Sequence, residues 1–251
     1  MLKTRVMPTL LHKDLGLVKG VRFDSWRRVG SAMQSVKVYN MREVDELVFL
    51  DITATREGRE PDYELVDDLA DECFMPLTVG GGVRTVEHFE RLLKVGADKV
   101  AVNTVVIERP ELISEAAGTF GAQCVVVSID ALRSPDGRLE VLTHSGTTPT
   151  GRDPAELAAE AQERGAGEIL VTSIDRDGTM EGYDLELIRA VASAVTIPVI
   201  ASGGAGTYAH MAEAVGGGAS AVAAASMFHF TEQTPLEAKH HLRERGVAVR
   251  I

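Results

Sequence analysis

Two stretches decide the fold: Met75-Pro-Leu-Thr-Val-Gly-Gly-Gly-Val-Arg-Thr85 and Ile197-Pro-Val-Ile-Ala-Ser-Gly-Gly-Ala-Gly-Thr207. Each is a short apolar run after a proline that opens into a glycine cluster, the form of a β-strand ending in a tight turn. They stand 122 residues apart, and the same offset sets Glu46 against Glu168, Gly81 against Gly203, Gly82 against Gly204 and Asn103-Thr104 against Ala225-Ser226. One strand-and-turn unit resembles another easily. Matches at one fixed offset across three successive strands mark a duplicated half.

Outward from these stretches the chain alternates β-prone runs with amphipathic segments about a dozen residues long, the pattern of βα units around a parallel sheet. The strands are expected at Arg5–Leu11, Glu46–Ile52, Leu77–Val79, Lys99–Val102, Cys124–Asp130, Ile169–Ser173, Val199–Ala201 and Ala221–Ala224. Eight such strands predict an α/β protein, a (βα)8 TIM barrel made of two repeated (βα)4 half-barrels. Between the fifth and sixth strands Asp153 is placed to cap a helix, Pro154 suits its first turn and Gly165 closes it. No Pro/Ser-rich linker interrupts the chain, so residues 1–251 are read as one barrel domain.

Composition narrows the function. The chain has 251 residues, 26 Lys+Arg and 37 Asp+Glu, for a net charge of −11. That balance disfavours nucleic acid and anionic membranes, which call for Lys/Arg clusters, but not a small anion held by backbone amides. Cys73 and Cys124 form neither a CxxC nor a zinc-ligand spacing, so no metal is expected, and reduced thiols point to a cytoplasmic setting. His240 and His241 are read as a solvated pair on a late polar helix. The opening MLKTRVMPTLL does not read as a signal peptide, and the apolar run Ala221–Phe228 is too short to span a bilayer.

Barrel enzymes work at the C-terminal ends of their strands. There this chain places Gly80-Gly81-Gly82, Asn103-Thr104, Asp175-Arg-Asp177-Gly178-Thr179, Gly203-Gly204-Ala205-Gly206 and Ala225-Ser226. Glycines let a phosphate approach the backbone, while hydroxyls and amides donate to its oxygens; an isolated glycine turn would carry no such meaning. Repetition in both halves predicts two phosphate sites on opposite sides of the mouth. Asp51, Asp130 and Asp175 end apolar strands and are the acid/base candidates, with Asp51 and Asp175 also suited to holding loop amides. At the opposite ends stand Arg5, Glu46, Lys99 and Glu168; spacing alone reads them as a solvated rim of weak ion pairs.

The motifs DELVFLDITA, TVGGGVRT, ADKVAVNT, VVVSIDA, GAGEILVTSIDRDGT, IASGGAG and AAASMFHF give a more specific reading. Together they resemble the cyclase subunit of imidazole glycerol phosphate synthase over essentially the full chain. The resemblance implies a lyase/cyclase-type barrel without a bound cofactor, in a heterodimer with a glutaminase subunit. Ammonia from glutamine would pass through the barrel to a phosphorylated small-molecule substrate. It implies one phosphate site at Gly82, Asn103 and Thr104, and another at Asp177, Gly178, Gly204, Ala225 and Ser226. Asp130 matches a catalytic aspartate and Lys19 the lysine of a loop that closes over substrate. Arg5, Glu46, Lys99 and Glu168 match an ammonia gate, and Asp98 a contact with the glutaminase, which reverses the solvated-rim reading.

One departure bears on chemistry. The family's other catalytic aspartate ends strand one, where this chain reads Pro8-Thr9-Leu10-Leu11, so Leu11 replaces the carboxylate. Leu157 stands where the family commonly has tryptophan. The segments Leu10–Lys19 and Glu72-Cys-Phe-Met-Pro76 resemble a divergent branch associated with amidation of surface-polysaccharide sugars, which would add a sugar amidotransferase as a partner. The alternatives are a histidine-pathway cyclase that tolerates Leu11, a stand-alone phosphosugar isomerase, and a non-catalytic scaffold that activates the glutaminase.

Overall fold

In a computed structural model, residues 3–14 and 16–251 are described; Met1 and Leu2 of the opening segment and Leu15 of the Leu10–Lys19 segment lie outside them. The first half contains β1 (Arg5–Lys13), β2 (Gly16–Val21), β3 (Asp24–Gly30), α1 (Ala32–Met41), β4 (Leu47–Asp51), α2 (Tyr63–Asp71), β5 (Leu77–Gly80) and α3 (Val86–Lys94). It continues through β6 (Lys99–Val102), α4 (Val105–Glu108) and α5 (Glu111–Phe120). The second contains β7 (Val125–Arg133), β8 (Leu139–Thr143), β9 (Thr148–Pro149), α6 (Pro154–Glu163), β10 (Glu168–Ser173) and α7 (Leu185–Ala194). The chain ends with β11 (Val199–Ser202), α8 (Tyr208–Gly216), β12 (Ala221–Ala224), α9 (Ser226–Phe230) and α10 (Pro235–Glu244).

Eight of these strands close a parallel barrel in the order β1-β4-β5-β6-β7-β10-β11-β12, with β12 pairing back to β1. All four residues of β5 and of β12 are buried, as expected of strands covered on one face by helices and filled on the other by the bore. Outward residues such as Leu10, Phe49, Val79 and Ile169 join the helix-facing core, while Met7, Val48, Ala101, Val126, Leu170, Ile200, Ala221 and Ala223 pack the interior. Alternation along each strand therefore divides the chain into two cores.

The repeat carries into geometry. Gly81 and Gly203 both have positive φ, 108° and 87°, and a Cβ on either would strike the backbone of the preceding barrel strand's end, at Asp51 or Ser173. After each turn Thr85 and Thr207 cap a helix by accepting the amides of His88 and His210, and each histidine Nδ1 accepts the amide just before its threonine, from Arg84 or Gly206. This matched pair of caps extends the duplication to residues not noticed in the sequence.

The expected helix after Asp153 forms with that residue's carboxylate accepting the amides of Ala155 and Glu156 at 2.8 and 3.1 Å. Leu157 is buried on its inner face. Two features differ from expectation. Lys19 lies not in an open loop but in the antiparallel hairpin β2–β3, which continues β1 through the pairing of Leu11 with Val18; a second hairpin, β8–β9, follows β7. His240 and His241 are half-buried rather than solvated, because α10 packs on α8 and sets the His241 ring 6.0 Å from Tyr208. No helix among the described residues is long and apolar enough to cross a membrane.

Candidate active site

The C-terminal ends of the strands and the two hairpins enclose a cavity of about 310 Å³. Asp130, Lys19 and Leu11 line it, as do Gly82, Asn103 and Thr104 on one side and Asp177, Gly178, Gly204, Ala225 and Ser226 on the other. The fold thus gathers Asp130, Lys19, Leu11 and the residues of both expected phosphate sites into one pocket, while Asp175 lies outside its lining. Phe23 and Trp26 of the first hairpin and His144 and Ser145 of the second line it too. They escaped the sequence reading because neither hairpin was recognised.

Asp130 sits at the centre of the polar network. Asn103 Nδ2 donates to its Oδ2 at 3.1 Å and to the Ser128 carbonyl at 3.0 Å, so this amide orients the carboxylate. Burial raises the Asp130 pKa to about 7, the nearby Asp177 charge adds to the rise and the Asn103 hydrogen bond opposes it. A carboxyl poised there can give or take a proton near neutral pH. Thr104 Oγ1 accepts the His144 amide at 3.0 Å and lies 3.3 Å from Asn103 Oδ1, tying the second hairpin to the same network.

Lys19 is buried, and its ammonium meets Asp177 Oδ2 at 2.5 Å. Burial raises the Asp177 pKa, against the pull of Lys19. The hairpin is also held by the Arg22 amide on the Asp177 carbonyl, at 2.8 Å. At Gly178 φ is +75°, and a Cβ there would collide with the Gly20 carbonyl oxygen. Gly178→Ala is therefore expected to lift the hairpin and shift the fluorescence of Trp26, the only tryptophan in the chain, to longer wavelength. An unchanged emission spectrum in the folded variant would refute that close packing.

The other carboxylates are structural. Asp51 Oδ1 accepts the amides of Thr53 and Ala54 at 2.9 and 3.0 Å, and Oδ2 faces Arg59 at 3.3 Å. Burial pushes its pKa up, but these hydrogen bonds and the Arg59 charge outweigh it and hold the pKa below the usual value. Asp175 accepts the Arg133 amide at 2.8 Å. Leu11 is half-buried on the cavity wall and offers no proton donor or acceptor.

At the other end of the bore the four charges form a closed ring. Arg5 Nη1 lies 2.7 Å from Glu46 and 3.0 Å from Glu168, and Lys99 Nζ lies 2.8 and 3.1 Å from the same two glutamates. Their side chains are 3–19% exposed, so spacing alone misjudged them as a solvated rim. Burial works against the Arg5 charge, but the glutamates raise its pKa overall. Thr78 Oγ1, unremarked in the sequence, donates to Glu46 Oε1 at 2.9 Å. Above the ring lies the apolar interior layer, and above that the cavity. Asp98 is exposed beside the ring, with Oδ2 accepting the Leu77 amide at 2.8 Å.

A parallel eightfold barrel with an acid/base carboxylate and glycine turns at its C-terminal mouth defines a TIM-barrel protein with an enzyme-like site. Residues 5–234 match the family model of the histidine biosynthesis protein. The chain belongs to that family, whose members are barrel enzymes of isomerase or cyclase type.

Proposed function

We propose that this chain is the barrel subunit of a glutamine amidotransferase complex. In that role it receives ammonia from a glutaminase bound at the charged ring and delivers it to a phosphorylated acceptor in the cavity. The observation that carries the proposal is the stacking of three layers on one axis: the Arg5–Glu46–Lys99–Glu168 ring, the apolar layer around Met7 and Leu170, and the cavity holding Asp130. Neutral ammonia crosses an apolar layer at far lower cost than ammonium does, and a ring of paired charges suits an entry that must stay closed to water. A stand-alone isomerase has no use for such a ring.

In the cavity, Asp130 moves the proton, Asn103 holds its carboxylate in place, and the hairpin carrying Lys19 excludes water. The two glycine turns and Ser226 bind the acceptor's phosphates, and Asp98 contributes to the glutaminase contact. With Leu11 in place of a second carboxylate, cyclisation is weakened and the nitrogen is redirected, which favours a divergent paralogue serving sugar amidation over a scaffold with an idle cavity. The retained Asp130–Asn103 pair favours, as the second reading, a histidine-pathway cyclase in which Asp130 carries the proton traffic alone.

The decisive experiment supplies the purified chain with ammonium salt and the ribulosyl substrate of the histidine pathway. Turnover at the ordinary rate of such cyclases would overturn the divergent reading. Lys99→Ala, assayed with a glutaminase subunit, is expected to reduce glutamine-driven product formation by about tenfold more than ammonium-driven formation. Equal losses in both assays would refute the gate.

A further inference from the structure

Away from the cavity and the ring, the most deeply buried unassigned charges are Lys239 on α10 and Asp45, 3% and 7% exposed. Their charged atoms are 3.0 Å apart, and Lys239 Nζ also donates to the Glu43 carbonyl at 2.8 Å. The other carboxylate oxygen, Asp45 Oδ2, accepts the Val6 amide at 2.9 Å. Ladder pairing between β1 and β4 begins only at Thr9 and Val48, so below that level the carboxylate bridges the two strands in place of backbone. Val6 follows Arg5 and Asp45 precedes Glu46, the two members of the ring that meet at 2.7 Å. Asp98, which precedes Lys99, accepts the amide of Leu77 as well, there beside a backbone bond from its own amide to the Leu77 carbonyl.

We propose that Lys239 and Asp45 are positioning residues for the ring. In this role α10 sets, from outside the barrel, the separation of the strand starts that carry Arg5 and Glu46. A buried ion pair is a poor device for stability alone, because an apolar pair of similar volume serves as well. This pair spends its remaining hydrogen bonds on the backbone beside two ring residues. The part of the inference that concerns ammonia rests on the proposed function; the part that concerns geometry does not.

The test is Lys239→Met in the full chain, followed by two readouts. The first is the nitrogen-15 resonance of the Arg5 guanidinium, assigned by its loss in Arg5→Lys; the second is the ratio of glutamine-driven to ammonium-driven product in complex with a glutaminase subunit. The expected result is a displaced Arg5 signal and a ratio lower by about tenfold, in line with the sensitivity of reacting groups to ångström misplacement. Asp45→Asn, which keeps an oxygen for the Val6 amide, is expected to disturb both readouts less than Asp45→Ala. If Lys239→Met does not fold, the double variant with Asp45→Asn leaves no unpaired buried charge and takes its place. A folded variant with an unmoved Arg5 signal overturns the inference. A moved signal in a protein that shows no glutamine-driven product even as wild type upholds the positioning role and overturns the functional reading instead.

Discussion

Asp130→Asn is expected to abolish most turnover, by a factor of about 10² to 10⁴, the usual worth of a positioned acid or base. Of the other carboxylates on the wall, Glu108 is a largely exposed side chain 3.8 Å from His144 Nε2. Asp51 is committed to the amides of Thr53 and Ala54, and Asp177 to Lys19. The wild-type rate is expected to change across a titration near pH 7, where burial has placed the Asp130 pKa, and the variant is expected to lose that inflection. Stability provides an independent check. The native pKa lies above the unfolded value of 3.8, so the folded state binds the proton more tightly. Its contribution is most favourable below the unfolded pKa and declines as pH rises to about 7. Above that pH the asparagine variant is expected to unfold with greater difficulty than wild type, by on the order of 2 kcal/mol after discounting for partial solvent contact. Thermal denaturation at pH 8 measures it, and a less stable variant would show that the carboxylate is not strained by its burial.

Leu11→Asp is expected to raise ammonium-driven turnover of the histidine-pathway substrate by about 10² to 10⁴. Leu11 already faces the cavity, and its register with Val18 and Leu50 fixes where a carboxylate there would stand. The gain has a stability cost, because the new charge shares a half-buried wall with Asp130 and Asp177, and Lys19 is already paired with Asp177. Product formation by the variant, with none by wild type, would show that the residue at position 11 controls this turnover. Absence of any gain would mean that the hairpin aromatics Phe23 and Trp26, or the acceptor they fit, exclude the histidine-pathway substrate.

Much of this site is written locally. Glycine clusters after apolar runs, with carboxylates at strand ends, follow from steric and solvation rules that act over a few residues. Contiguous motifs likewise single out Asn103, Asp130, Asp177 and the ring residues Glu46, Lys99 and Glu168, whereas Arg5 lies outside them. The first hairpin is illegible for a physical reason: β2 and β3 have little apolar alternation, with a β3 that is exposed or half-buried throughout, and they form because they extend the end of barrel strand β1. Lys239 and Asp45 are 194 residues apart, and no local pattern marks them as partners.

The sequence by itself therefore determined the barrel and its duplication, since each depends on residue type at a fixed spacing. Only the tertiary structure decided how the charges behave. Ring closure buried Arg5, Glu46, Lys99 and Glu168 against one another, and burial beside Asp177 moved Asp130 to a neutral pKa. Desolvation and Coulomb coupling depend on what surrounds a group in space, and strands far apart in the chain supply those surroundings.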